Sequence, residues 1–377
     1  MDSLLYNFVF LICITLALSI NSFLYRVNFY EHIDFSGRRY FHIDGIRGIA
    51  ALFVVMNHAV FSFANNGYSL SKIDTSNFWI FAHAGDIGVQ IFFCITGFLF
   101  FDKIIKTKNN IDWCIFFQSR IKRLVPMYII ATTIVAILTL LWSEGEQSAV
   151  TTLRQMINIY GFGFFGSDIW VNGFRTYTLN AVIWTLPYEW KFYCILPVIC
   201  ALLKFHRLFY FCVALIFFYT LNDLYSGQVV WIYFISGTVA AFVNNNAKLN
   251  LHKKSLTFNI FSSAIVVFCL IYLLNSDLSG YGYERFIITS ILFILIVWLK
   301  PHVLTFKPLV YLGEASYSSY LLHLTVNALV IRGLSYAFDL SNALPYFFWC
   351  VIIALVGITT LVTAYTFKYI EYRFLKK

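Results

Sequence analysis

Eleven apolar segments dominate this chain. They lie near 4–23, 48–66, 86–101, 124–142, 181–203, 208–222, 228–243, 257–275, 284–299, 309–333 and 345–367. A helix needs about 20 apolar residues, roughly 17–25, to cross the hydrocarbon of a bilayer. Several segments are shorter, so their ends are set only to within a few residues. Only 12% of the residues are charged and 60% are hydrophobic, whereas soluble domains carry about 25% charge. In hydrocarbon every backbone N–H and C=O must be bonded within the fold, which leaves helices as the spanning element for segments of this length. The sequence therefore predicts an all-α fold, a polytopic transmembrane helical bundle of about eleven spans.

The net charge of +9 does not point to nucleic acid, because the positive charge is sorted by loop. With the N-terminus outside, alternate connections collect 21 of the 27 Lys and Arg residues, in groups around Arg38, Lys106, Lys204, Lys253, Lys300 and Lys376. The exceptions are Lys72, Arg154, Arg175, Lys191, Arg285 and Arg332. An excess of Lys and Arg marks cytoplasmic loops, so the N-terminus is placed outside and the C-terminus in the cytoplasm. Adding or removing one span would scramble the sorting, which supports the odd count. The first segment opens Met1-Asp2-Ser3 with no basic n-region, and no small-residue cleavage site precedes Arg38. It is read as a retained helix rather than a signal peptide. The eight cysteines contain no Cys-x-x-Cys pair, so neither a zinc site nor a disulfide framework is expected.

The longest polar excursion, 143–180, falls on the outer side and is rich in Gly, Asn and aromatic residues. Two readings stay open: a lid that packs over a pocket and stacks on sugars, or a partly helical segment lying in the bilayer interface, where aromatics are enriched anyway. The main inner excursion is 102–123. No short internal repeat is visible, and inverted repeats of transporter type stay open.

Ionisable side chains inside a bilayer cost several kcal/mol and usually mark function. Arg47 and His58 stand eleven residues apart in HIDGIRGIAALFVVMNHAV. That is about three helical turns, so both lie on one face, separated by about 16 Å along the axis. Histidine is the natural proton acceptor near neutral pH. The alternative is that Arg47 marks the span boundary and His58 makes a helix–helix contact. Glu189, in WTLPYEWKFYCILP, is a carboxylate that needs a partner, with His58 or an arginine as candidates. Lys191 is a poor one, because residues two apart on a helix do not face each other. Pro187 is expected to break the helix near Glu189 and open backbone groups to a cavity. In SRIKRLVPMY, Arg120 and Arg123 are helix neighbours, and the planar guanidinium suits phosphate. The plain reading is a positive flank of a span. His323 lies about ten residues into a span, after Ser316, Ser318 and Ser319, and is read either as a site residue or as a satisfied interhelical contact.

Together these strings resemble the acyltransferase family 3 of integral membrane acyltransferases. Its first motif, similar to L-D-G-x-R-G-I-A-A-x-x-V-x-x-x-H, is matched by IDGIRGIAALFVVMNH, with the Arg/Lys and His positions at Arg47 and His58. G-V-D-x-F-F-x-x-S-G-F is matched by GVQIFFCITGF from Gly88 to Phe98. An Arg-x-x-Arg element before proline is matched by Arg120, Arg123 and Pro126. W-S-L-x-x-E-x-x-F-Y is similar to Trp184, Thr185, Leu186, Glu189 and Tyr193, and S-Y-S-x-Y-L-x-H to Ser316, Tyr317, Ser318, Tyr320, Leu321 and His323. The resemblance runs from about 41 to 373. Three departures stand out. Gln90 replaces an acidic residue and cannot act as a base. Residues 1–40 add a helix before the usual ten-span core. No soluble esterase-like domain follows the last span, so transfer would be completed by the membrane domain or by a partner.

The resemblance implies an extra N-terminal helix with a basic linker over 1–40 and a membrane acyltransferase domain over 41–377. It implies O-acyl transfer from acyl-CoA, most often acetyl-CoA, to a hydroxyl of a surface polysaccharide or its lipid-linked precursor, in a bacterial inner membrane. No metal is expected, nor nucleic acid. The partners are acyl-CoA, the glycan acceptor and lipid, with a homo-oligomer left open. His58, Arg47 and Glu189 are the expected catalytic group, with His58 as base or nucleophile and Glu189 orienting or charging it. Arg120, Lys122 and Arg123 are expected on the nucleotide phosphates. Asp44, Gln90, Trp184, Tyr188, Ser316 and His323 are expected around the substrate. Two rivals are a transporter of a glycan or acyl intermediate, which moves substrate without consuming CoA, and a non-catalytic subunit of a polysaccharide assembly complex, which tolerates loss of His58 and Glu189.

Overall fold

The computed structural model describes residues 2–33, 40–68, 78–203, 213, 230–246, 256–278 and 280–375. The apolar segment at 208–222, save Val213, and the basic residues Arg38, Arg39, Lys72, Lys204, Arg207, Lys248, Lys253, Lys254, Lys376 and Lys377 lie outside them. The described chain is a helical bundle. Its helices are α1 (Asp2–Arg26), α2 (Phe41–Asn65), α3 (Trp79–Lys106), α4 (Trp113–Trp142), α5 (Ala149–Ile159), α6 (Tyr177–Asn180), α7 (Leu186–Leu202), α8 (Tyr233–Asn245), α9 (Leu256–Asn275), α10 (Tyr283–Leu299), α11 (Lys307–Glu314), α12 (Ser316–Ser335), α13 (Pro345–Thr366) and α14 (Tyr372–Leu375). A small antiparallel hairpin pairs β1 (Trp170–Val171) with β2 (Phe174–Arg175). Among the described residues, five helical stretches are long and apolar enough to cross a membrane: Leu5–Arg26, Phe41–Asn65, Trp79–Lys106, Trp113–Trp142 and Pro345–Leu375. This is an all-α membrane bundle.

Local chemistry sets the helix ends. Asp112 caps α4 by accepting from the Ile115 amide at 3.0 Å, and Ser148 caps α5 through the Thr151 amide at 3.2 Å. Side-chain oxygens of this kind satisfy amides that a first turn leaves unbonded. Lys300 closes α10 with φ of 52°, and Pro301 follows, unable to continue the helix. The apolar run 309–333 is not one helix. Ala315 leaves the helical track with ψ of 3°, so the run is split between α11 and α12.

α2 and α3 form the centre, each buried over 72% of its most apolar stretch, against 33% for α1. Glycines let neighbouring backbones touch them. A methyl group at Gly48 would collide with the Leu309 carbonyl, and one at Gly313 with the Asp44 carbonyl, so α2 and α11 are in direct backbone contact. Gly97 and Gly237 make the same close seam between α3 and α8, against the carbonyls of Phe234 and Cys94. Small residues at helix crossings are how membrane helices gain packing contact. α1 rests on the outside of this centre, against α13 and α11.

Candidate active site

Residues 89–100 of α3, 120–124 of α4, 185–193 at the start of α7, and 316–320 of α12 surround a cavity of about 220 Å³, with Arg47 of α2 at one end. Arg120, Arg123, Glu189, Tyr193, Ser316 and Tyr317 share this wall with it. Arg47 stands between Gly45 and Gly48, whose close seams fix α2 in place. Its Nη1 lies 3.2 Å from Asp44 Oδ1. The chain enters α7 through a 3-10 turn, Ala181–Thr185, and Pro187 sits in the first turn of the helix. That position suits proline, because its missing N–H would be unbonded there anyway. Glu189 is thereby delivered to the cavity, where it interacts with Arg120, Arg123 and Arg47 and hydrogen-bonds to Tyr193. The partner of Glu189 is thus the arginine group and not His58.

His58 is held by another histidine. His323 Nε2 lies 2.8 Å from His58 Nδ1, and His323 Nδ1 lies 2.8 Å from the Ser319 carbonyl oxygen. A carbonyl only accepts, so His323 carries its proton on Nδ1. With both imidazoles neutral, His323 Nε2 must accept from His58 Nδ1–H, which leaves the lone pair of His58 on Nε2. Among the described residues no donor meets that nitrogen. Neither histidine lines the cavity; the pair adjoins it through Tyr320, which lines the wall and whose ring lies 6.4 Å from that of His323. Thr185 and Tyr320 hydroxyls meet there at 2.6 Å. α2 and α12 run in parallel through the site: Arg47 and Ser316 both line the cavity, and His58 and His323 meet further along each helix. The expectation that Glu189 orients the imidazole is therefore corrected: His323, a residue of the α12 motif, does so.

The remaining expected residues divide. Ser316 lines the cavity. Trp184 and Tyr188 stack edge-on at 6.1 Å, with Tyr188 against Phe93. Lys122 is exposed and lines a second, basic recess with Gln118, Ser119, Arg120, Arg123 and Leu375. Gln90 is not on the cavity wall. It is fully buried, accepting from Thr289 at 3.0 Å and donating to the Gly280 carbonyl at 2.6 Å. There it fastens a turn before α10 onto α3. The excursion at 143–180 folds as α5, the hairpin and α6. Arg175 grips Asp168 with two hydrogen bonds of 2.7 Å, which holds the Asp168 carboxyl below the usual carboxylate range.

Glu371 was not among the residues expected from sequence. It closes a π-helical turn, Phe367–Glu371, inside the last helical stretch. It is 2% exposed, accepts from Ser318 at 2.7 Å, and lies near Arg123 and Arg47. Single π turns recur at functional sites. The cavity end therefore carries three arginines against the carboxylates of Asp44, Glu189 and Glu371. Such a site is preorganised for a polyanion that can displace carboxylates from guanidinium groups. Among the described residues no cluster of three metal-ligating side chains is present.

Comparison with known proteins gives the same direction. A family model described as "Acyltransferase domain" matches residues 40–366. A protein of Staphylococcus aureus strain COL named "Putative O-acetyltransferase" is 24% identical over 376 residues, covering 89% of this chain and 57% of its own length. The O-acetyltransferase OatA of S. aureus strain NCTC 8325 is 23% identical with the same coverage. A protein of Acidianus two-tailed virus named "Putative acetyltransferase" is 26% identical over 343 residues, 84% of this chain and 94% of its own length. The chain thus spans 57% of the length of the staphylococcal relatives. No solved structure matches it. With the family model spanning both the arginine cavity and the histidine pair, the chain belongs to acyltransferase family 3.

Proposed function

We propose that this chain is an acyl-CoA-dependent O-acetyltransferase that moves acetyl from cytoplasmic acetyl-CoA to a hydroxyl of a surface polysaccharide or its lipid-linked precursor. It would work in a bacterial inner membrane, N-terminus outside and C-terminus inside. One observation carries the reading: a cavity lined by Arg47, Arg120 and Arg123 is also lined by Tyr320, whose ring lies 6.4 Å from that of His323, the imidazole bonded to His58. The phosphates of coenzyme A suit the arginine end, with Lys122 beside it, and the pantetheine arm suits the largely apolar wall. The relatives named O-acetyltransferases support the same group and bond.

In this reading His58 Nε2 removes the proton of the acceptor hydroxyl as its oxygen attacks the thioester carbonyl. The C–O bond forms, the C–S bond breaks, and the proton passes from the imidazolium to the departing thiolate. His323 steadies the imidazolium through its Nε2 lone pair. The same nitrogen would serve as nucleophile if an acetyl-imidazole forms first. Glu189 and Glu371 hold the arginines for the donor.

The test is mass spectrometry of surface polysaccharide from host cells lacking the gene and cells restored with wild type or His58→Ala. The expected result is loss of an acetyl increment on deletion, regained with wild type alone. Regain with His58→Ala would overturn the reading.

A further inference from the structure

A second polar group lies at the depth of His58, on the α3 side of the bundle. A methyl at Gly85 would touch the Asn57 side chain at 2.6 Å, so Asp86 and His58 occupy one level. Asp86, Val89, Phe93, Thr96 and Phe100 are spaced by three and four residues and share one face of α3. All but Asp86 line the cavity. Asp86 is the next step of that stripe, half-buried, with no hydrogen-bond partner among the described residues.

Behind it stands Arg285, 0% exposed. Its Nη2 lies 2.6 Å from His83 Nδ1, while Nε and Nη1 have no partner among the described residues. Arginine only donates, so His83 must accept on Nδ1 and carry its proton on Nε2. Asp86 is the carboxylate that Arg285 feels most strongly. The turn fastened by Gln90 presses Gly280 onto Asp86, where a methyl group would lie 2.9 Å from Oδ2. Tyr281 follows, its ring 6.4 Å from Trp184. An accepting carboxylate, an imidazole N–H one turn away and two aromatic faces are the complement of a hydroxyl-bearing sugar ring. Aromatic faces cover its apolar C–H surface, and charged acceptors give its hydroxyls the stronger class of hydrogen bond.

We infer that His83, Asp86, Trp184 and Tyr281 form the acceptor subsite and bind a hydroxyl-rich, sugar-like ligand, with Arg285 as the buried positioning residue behind them. Asp86 receives a hydroxyl of the acceptor; His83 Nε2–H donates to its neighbour. The donor then approaches from the arginine end and the acceptor from the α3–α10 side, meeting at His58. This rests on the acetyl-transfer reading.

The test uses the full chain in lipid nanodiscs, acetyl-CoA as donor, and de-esterified surface polysaccharide from the deletion strain as acceptor. Free CoA is followed while each substrate is varied. Loss of a hydrogen bond to a charged group predicts that Asp86→Asn lowers kcat/KM for polysaccharide roughly 10- to 100-fold. The KM for acetyl-CoA should stay within about twofold. Trp184→Ala should raise the polysaccharide KM in the same way and decides the matter alone if Asp86→Asn loses its acetyl-CoA binding. Wild-type transfer with both variants unchanged toward polysaccharide would overturn the acceptor subsite and leave the acetyl-transfer reading standing. A wild-type protein that consumes no acetyl-CoA with polysaccharide present would overturn both.

Discussion

A histidine buried among apolar side chains is a more effective proton acceptor when its tautomer is fixed, since a freely tautomerising ring presents the wrong nitrogen part of the time. His323 supplies that restraint for His58 from another helix, and the Ser319 carbonyl supplies it for His323. His323→Leu removes the acceptor for His58 Nδ1–H. General-base steps contribute about 10²- to 10⁴-fold, so acetyl-CoA turnover with polysaccharide should fall by a large part of that, with KM for the donor little changed. His323→Gln keeps an amide oxygen that can accept from the same N–H, and should recover part of the loss. A purely packing role for His323 would give the opposite order, with Leu the better tolerated. The Arg47–His58 spacing was legible because it is local and periodic. The His58–His323 contact was not, because it joins positions 265 apart in the chain. Glu371 was hidden among basic residues in KYIEYRF. Arg285 reads as a flank charge in sequence, because its burial depends on α3 and on the turn at Gly280.

Between elements, the site depends on backbones that nearly touch. The seam of Gly97 and Gly237 sets the distance from α3 to α8, and with it where Phe93 and Thr96 meet the cavity. A methyl at Gly97 has no space unless the helices part, and overpacking of this kind costs about 1–3 kcal/mol. Gly97→Ala should therefore lower the thermal midpoint in detergent, followed with a thiol-reactive dye that reports exposure of the buried thiols of Cys13 and Cys94. Gly333→Ala is the contrast: nothing lies within 4 Å of a methyl there, and alanine is the better helix former by about 1 kcal/mol. Its midpoint should be unchanged or higher. An equal fall in both variants would show that the seam is not what limits stability. The helical class and most segment positions were readable from hydropathy. The break at Ala315 was not, because the residues on either side of it stay apolar and hydropathy does not register a change of direction.

At the scale of the whole molecule, the proposed mechanism requires the arginines of the cavity to face the compartment that holds coenzyme A. α4 gives a direct ruler. Its 30 residues span about 45 Å at 1.5 Å per residue, more than the roughly 30 Å of bilayer hydrocarbon, so its two ends emerge on opposite sides. Exposed Cys114 lies at the start of α4, two turns before Arg120, and the excursion containing Phe165 follows its other end. The sorting of Lys and Arg predicts that the Cys114 end is cytoplasmic. In intact cells, a membrane-impermeant maleimide should leave Cys114 unlabelled until the cells are permeabilised. In a variant lacking the native cysteines, Phe165→Cys should label without permeabilisation. The reverse pattern would put Arg47, Arg120 and Arg123 on the outer face, away from the cytoplasmic donor. The arginine cavity would then have to bind some other polyanion, and acetyl transfer from coenzyme A would lose its physical basis even though the His58–His323 pair remained intact.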